Sequence, residues 1–284
     1  MHIHFNFKKV IILLFEKLEK YEIKPNTISK GTLYIGSVFV EELNEDKKRN
    51  IRIYLPSNYD GKKKFPVIYM MDGKNLFDKY TSFAGEWGVD EIIEERINNG
   101  EKGFIVVGID SSITDIGRVE EMLPSDENLS YVDDLKGKVT SHIKPLEDFI
   151  INDLKPEIDR LFNTLSDYEN TIIAGSSMGG IFAYYMGVKY SNIFKLAICF
   201  SPAFCLYEEN AFKQNLIKLN KLNNKFYLLV GDVEYENQFV SLTKYTYEFM
   251  KSSGFNVYYK HDLEGIHHES FWNKYFNDAL DYLD

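Results

Sequence analysis

The sequence predicts an α/β fold: a mostly parallel central sheet with helices on both faces and an antiparallel hairpin at its N-terminal end. Three observations carry that expectation. Apolar runs of strand length alternate with segments of helical period from residue 67 to the C-terminus. Runs such as Val67-Ile68-Tyr69-Met70-Met71 are nearly continuous rather than alternating, as strands covered on both faces are. Finally, Gly175-Ser176-Ser177-Met178-Gly179 stands between a β-branched run and an aromatic, Ala-containing segment, which is the strand, sharp turn and helix of a nucleophile elbow.

Composition bounds the rest. With 284 residues, 44% hydrophobic and 15% aromatic, the chain can bury one large core. A formal charge of -10 argues against a nucleic-acid partner, whose phosphates call for a basic face. Cys199 and Cys205 lack metal-type spacing and do not form a disulfide framework, so a reducing compartment and no metal are expected. The apolar run 10–15 follows Lys8-Lys9 but is too short for a signal peptide and is cut by Glu16-Lys17, and no other run approaches membrane-spanning length. The expectation is a cytoplasmic protein without a membrane partner, with a homo-oligomer left open.

Taken in order, residues 7–21 place Val10, Leu13, Leu14 and Leu18 at amphipathic helical spacing, and 23–30, with Pro25 and Asn26, read as a connector. Residues 1–30 are therefore expected to be an N-terminal helix and connector, and 31–284 the main domain. Segments 33–43 and 50–55, rich in Val, Ile, Phe and Tyr around a charged turn, predict the hairpin. Strand 67–71, helix 87–98 and strand 104–109 make a β-α-β unit, whereas 110–143 shows no clean period and is too long for an idle loop. A helix is expected over 149–162, kinked or bounded by Pro156. After the elbow come strand 194–200, helix 208–222, strand 225–230, helix 239–252, strand 256–260 and a helix from about 270. Right-handed crossovers then require a doubly wound sheet.

The elbow glycines matter because a Cβ at 175 or 179 would crowd the neighbouring elements, while Ser177 takes a strained conformation that exposes its hydroxyl. A serine hydroxyl is a poor nucleophile at neutral pH and needs a base, itself held by a third group. Of six histidines, only His267 and His268 lie between the last strand and the last helix. Either can be the base. The acid follows strand 225–230 in Gly231-Asp232-Val233-Glu234, where Asp232 has an Asx-turn available and Glu234 the longer reach. The order Ser, acid, His is complete. Oxyanion donors are expected from the Met178 amide at a helix N-terminus and the Lys74 amide in the turn Asp72-Gly73-Lys74.

These residues together resemble the putative esterase family of α/β-hydrolases, which includes enterochelin-type esterases, esterase D relatives, feruloyl and acetyl xylan esterase domains and antigen 85 acyltransferases. The resemblance runs from about residue 38 to the C-terminus. It is carried by Tyr69-Met70-Met71-Asp72-Gly73-Lys74-Asn75-Leu76-Phe77, by Val106-Val107-Gly108-Ile109-Asp110, by Gly175-Ser176-Ser177-Met178-Gly179-Gly180 and by Gly265-Ile266-His267-His268-Glu269-Ser270-Phe271-Trp272. It implies the α/β-hydrolase fold, Ser177 as nucleophile, His267 as base, Glu234 as acid, and the amides of Lys74 and Met178 as the oxyanion hole. Arg118 and Glu121 look like the family's Arg-x-x-Glu segment, either an ion pair or a site feature. Asp72, Asn75, Trp87, Arg118, Glu121 and His268 are the further candidates for the substrate site. Lys74 stands where glutamine is usual, and Ile266 where a second glycine is usual.

The function so implied is a serine carboxylesterase acting on a small-molecule ester through an acyl-enzyme, with no cofactor. An acyltransferase would use the same triad. A related peptidase is disfavoured by a resemblance to ester cleavers, and a non-catalytic binding protein would be expected to have lost a triad member.

Overall fold

In the computed structural model, which describes residues 15, 17–43, 47–125, 139–207, 223–234 and 238–283, the continuous apolar runs lie at the centre of a nine-stranded sheet. The strands are β1 (Lys17–Lys20), β2 (Thr32–Phe39), β3 (Lys48–Leu55), β4 (Val67–Met71), β5 (Ile105–Ile109), β6 (Thr171–Ser176), β7 (Leu196–Phe200), β8 (Lys225–Val233) and β9 (Asn256–Ile266). Their order is β1-β2-β3-β5-β4-β6-β7-β8-β9. β1, β2, β3 and β5 pair antiparallel in turn, and every pairing from β5 through β4 to β9 is parallel. The fold is the α/β-hydrolase arrangement that the sequence implies.

Every residue of β4, β5, β6 and β7 is buried, because helices cover both faces. The period of two divides each strand between two cores. Val67, Tyr69 and Met71 of β4 face one cluster with Ile150, Ile158, Ile181 and Phe182. Ile68 and Met70 face the other, with Val89, Ile93, Trp272 and Phe276. The helices over the first face are α3 (Ile143–Asp148), α4 (Lys155–Leu161), α5 (Met178–Lys189) and α6 (Gln238–Ser252). Those over the second are α1 (Val89–Asn98) and α7 (Glu269–Asp281). Helix α2 (Asp115–Met122) lies beyond the end of β5. Among the described residues no helix is long and apolar enough to cross a membrane.

Four expectations change. The N-terminal helix does not extend to residue 21: Lys17–Lys20 is a strand on the open edge of β2, with Lys17 opposite Ser37. Lys-Leu-Glu-Lys fits a period of two as well as 3.6, and a free strand edge decides between them; residues 7–14 and 16 lie outside the described part. The long section 110–143 contains α2, which Thr114 caps by accepting the Gly117 N–H at 3.1 Å. It is short and carries a glycine, so its period is weak. The kink at Pro156 is taken up by a π-helical turn, Phe149–Leu154, between α3 and α4, which places the proline in the first turn of α4 where its missing N–H costs nothing. Lastly, β8 and β9 continue past 230 and 260 by pairing with each other, with a register shift between Gly231 and Val233. The expected helix 208–222 lies outside the described residues.

Candidate active site

Ser177 joins β6 to α5 with φ 56° and ψ -120°, a backbone conformation that costs about 1–3 kcal/mol and persists only when its surroundings hold it. Its N–H donates to Phe200 O at 2.9 Å, and its carbonyl accepts the N–H groups of Ile181 and Ala203, both at 3.1 Å. Gly179 is required by close approach, since a Cβ there would lie 2.9 Å from Met71 Cβ and 3.2 Å from Asp72 Oδ2. The start of α5 and the turn after β4 are thereby pressed together.

That turn is a short 3₁₀ helix, Gly73–Asn75, entered through Asp72 in the left-handed region at φ 57°. Asn75 N–H bonds Asp72 O and Leu76 N–H bonds Gly73 O, whereas the Lys74 N–H has no acceptor among the described residues. Met178, the first residue of α5, likewise has no intrahelical acceptor for its N–H. Two amides in this state are what an oxyanion requires.

At the far side, Gly231 and Gly265 let β8 and β9 meet: a Cβ on Gly231 would lie 2.3 Å from Gly265 O. Glu234 and His267 follow directly on the two strands. Glu234 is buried, and Oε1 accepts both the Ser201 hydroxyl at 2.6 Å and the Gly231 N–H at 2.9 Å. Oε2 is left to face His267 Nδ1 at 3.2 Å. A carboxylate only accepts, so Nδ1 carries the proton and Nε2 the lone pair. The imidazole packs between Phe239, at 5.0 Å between ring centroids, and the edge of Trp272, at 5.2 Å.

The structure therefore brings Glu234 and His267 together and sets Ser177 against the same turn, 200–203, that supplies Ser201 to Glu234. His268 is committed elsewhere. It caps α7, its Nδ1 accepting the Ser270 N–H at 3.1 Å, so that Nε2–H donates to Ala84 O at 3.1 Å. Among the described residues Asp232 makes no Asx-turn; it reaches His261 Nε2 at 3.1 Å.

The remaining candidates divide. Asp72 and Arg118 form a two-pronged pair, Nε to Oδ1 and Nη2 to Oδ2, each 2.7 Å. Glu121 is not the partner of Arg118: it bonds buried Arg49 and accepts the Ser112 N–H. Burial raises the Glu121 carboxyl, with Arg49 opposing it. Asn75 spends its amide on Glu269 at 3.0 Å and its carbonyl on the Phe83 N–H at 3.1 Å, making it a brace for the loop. Trp87 is 2% exposed, stacked on Phe200 and packed against Trp272 and Phe276, which places it in the core rather than on a substrate surface. Sequence reasoning missed Ser201 and gave Trp272 only as a motif residue without a role; its Nε1–H donates to Ser201 Oγ at 2.9 Å. The one signal for Ser201 is its place before Pro202 at the end of β7, beside the elbow strand. Both cysteines are free and buried.

Comparison with known proteins agrees with the fold and with the family that the sequence resembles. Residues 42–283 match the family described as Putative esterase. An acetyl esterase of Caldicellulosiruptor saccharolyticus is 27% identical over 199 residues, 58% of this chain and 71% of the relative. An uncharacterized protein of Bacillus subtilis (strain 168), YbbA, is 23% identical over 260 residues, 85% of this chain and 95% of the relative. The crystal structure of the BES protein from Bacillus cereus superposes with a TM-score of 0.68 at 20% identity, covering 94% of this chain and 99% of that one, and shares the fold. With the family matched over most of its length, the chain belongs to the putative esterase family of α/β-hydrolases and is a carboxylic ester hydrolase.

Proposed function

We propose that this hydrolase is a serine carboxylesterase working through an acyl-enzyme. Ser177 Oγ attacks the ester carbonyl while His267 Nε2 takes its proton, and Glu234 steadies the imidazolium through Nδ1. The oxyanion is received by the Lys74 and Met178 amides. Collapse breaks the acyl C–O bond, and His267 returns the proton to the departing alcohol. Water, deprotonated by the same imidazole, then releases the acid and restores Ser177. One observation carries this reading: buried Glu234 has one oxygen filled by two donors and the other directed at the His267 ring, which fixes the tautomer a base needs. The name of the Caldicellulosiruptor relative makes an acetyl ester the first substrate to test.

The test is labelling with a fluorophosphonate followed by peptide mapping, together with a panel of p-nitrophenyl esters from acetyl to decanoyl. Ser177 should carry the label, and Ser177→Ala and His267→Ala should each lower kcat by several orders of magnitude. His268→Ala should mainly cost stability, about 0.5–2 kcal/mol for a lost helix cap. Label on Ser176, or full activity in folded His267→Ala, would overturn the assignment.

A further inference from the structure

Away from this site, Glu86, Asp90 and Glu91 each present an oxygen, and the three oxygens lie within 4.8 Å of one another. Exposed acids need no counter-ion, but Asp90 is 0% exposed. Its Oδ2 accepts the Ser29 N–H at 2.7 Å, and its Oδ1 is buried with no hydrogen-bond partner. No lysine or arginine pairs with any of the three among the described residues. Glu86 is partly satisfied, the Thr27 hydroxyl lying 2.9 Å from both of its oxygens. Asp90 and Glu91 sit in the first turn of α1, where the helix dipole favours negative charge, but about half an elementary charge cannot balance three carboxylates.

A divalent cation would balance them. Magnesium is usually held by one or two carboxylates and keeps several waters, whereas calcium takes several carboxylate oxygens in a flexible shell, so three acids with an oxygen each suit calcium. We propose that Glu86, Asp90 and Glu91 form a calcium-class divalent cation site that fastens the 27–29 connector to the head of α1. The site adjoins the loop behind the Lys74 turn, because the Trp87 N–H donates to Asn75 O at 2.7 Å.

Full-length protein stripped with EDTA is titrated with terbium, whose emission the adjacent Trp87 indole can sensitise, and its thermal unfolding is followed with calcium or magnesium chloride. Terbium emission should rise, calcium should displace it at about one ion per chain, and Tm should climb to a plateau with calcium at lower concentration than with magnesium. Glu91→Gln, an exposed and mild change, should weaken calcium binding roughly tenfold or more, and Asp90→Asn should remove it. No emission and no Tm shift up to about 10 mM calcium, above the range of weak calcium sites, would overturn the proposal. So would binding unchanged in folded Glu91→Gln and Asp90→Asn. Stability that ignores calcium but grows on acidification would assign the cluster to a shared proton instead.

Discussion

The Ser201 hydroxyl donates to Glu234 Oε1 at 2.6 Å, and both residues are buried at the sheet's C-terminal edge. Ser201 in turn accepts from Trp272 Nε1, whose ring edge packs on His267, so one hydroxyl sets both the carboxylate and the wall behind the imidazole. Ser201→Ala should leave a carboxylate oxygen with one donor fewer and an indole N–H without an acceptor. Each buried loss is worth about 1–3 kcal/mol. Thermal unfolding should show lower stability, and kcat should fall about tenfold or more with KM little changed; wild-type kcat in folded Ser201→Ala would separate Ser201 from the reaction.

Asp232 and Glu234 lie two residues apart, yet their surroundings differ. Asp232 is exposed enough for water to serve it once His261 is lost, whereas Glu234 is enclosed. Glu234→Gln should lower kcat by roughly 10³–10⁴-fold with folding intact, because a neutral amide cannot stabilise the imidazolium. Asp232→Asn should stay within a few-fold of wild type and shift Tm by little, since exposed pairs contribute at most about 1 kcal/mol. The reverse ranking would move the acid to Asp232.

Much of this was legible from local pattern. β4 to β7 announce themselves because burial on both faces demands an unbroken apolar run, and the elbow because Gly175 and Gly179 leave the turn almost no alternative. What escaped is set by partners distant in sequence. Lys17–Lys20 is a strand only because β2 offers an edge, and the Arg118 fork finds Asp72 rather than Glu121 because α2, hidden in an aperiodic segment, turns it that way. Trp87 marks a helix start in sequence, but only the packing of Phe200, Trp272 and Phe276 reveals that it is core. Ser201 has no periodic signature at all.

Glu147 links α3 to the end of α5 by accepting from Tyr185, Lys189 and Tyr190 at 2.7–2.8 Å. Burial alone would raise its carboxyl, but these donors and Lys144 outweigh burial and hold it below the usual range. A carboxyl depressed in the folded state stabilises above its unfolded value, about 4.3, and that stability is lost as pH falls through the folded value. Glu147→Gln should therefore lower Tm at pH 7, with the gap to wild type closing below about pH 4. A gap that is constant from pH 7 to pH 3 would show that shape, not charge, is what Glu147 contributes.

In the proposed mechanism Arg118 and Asp72 would act through position. Asp72 enters the Lys74 turn in a left-handed conformation, and its carboxylate lies against Gly179 at the start of α5. With Arg118 forked onto both of its oxygens, the turn has little freedom to carry the Lys74 amide away from the Met178 amide. An amide aimed at a developing oxyanion acts more strongly in the transition state than on the bound ester, so loosening it should appear in kcat. Arg118→Lys keeps the charge but not the fork. With a neutral p-nitrophenyl ester, kcat should fall about tenfold, on the order of one misplaced charge-assisted bond, and KM should change less than twofold by comparison. A lysine variant that raises KM with kcat intact would instead make Arg118 a substrate contact, and the turn would have to be held by its own hydrogen bonds, Thr81 Oγ1 to Lys74 O at 2.8 Å first among them.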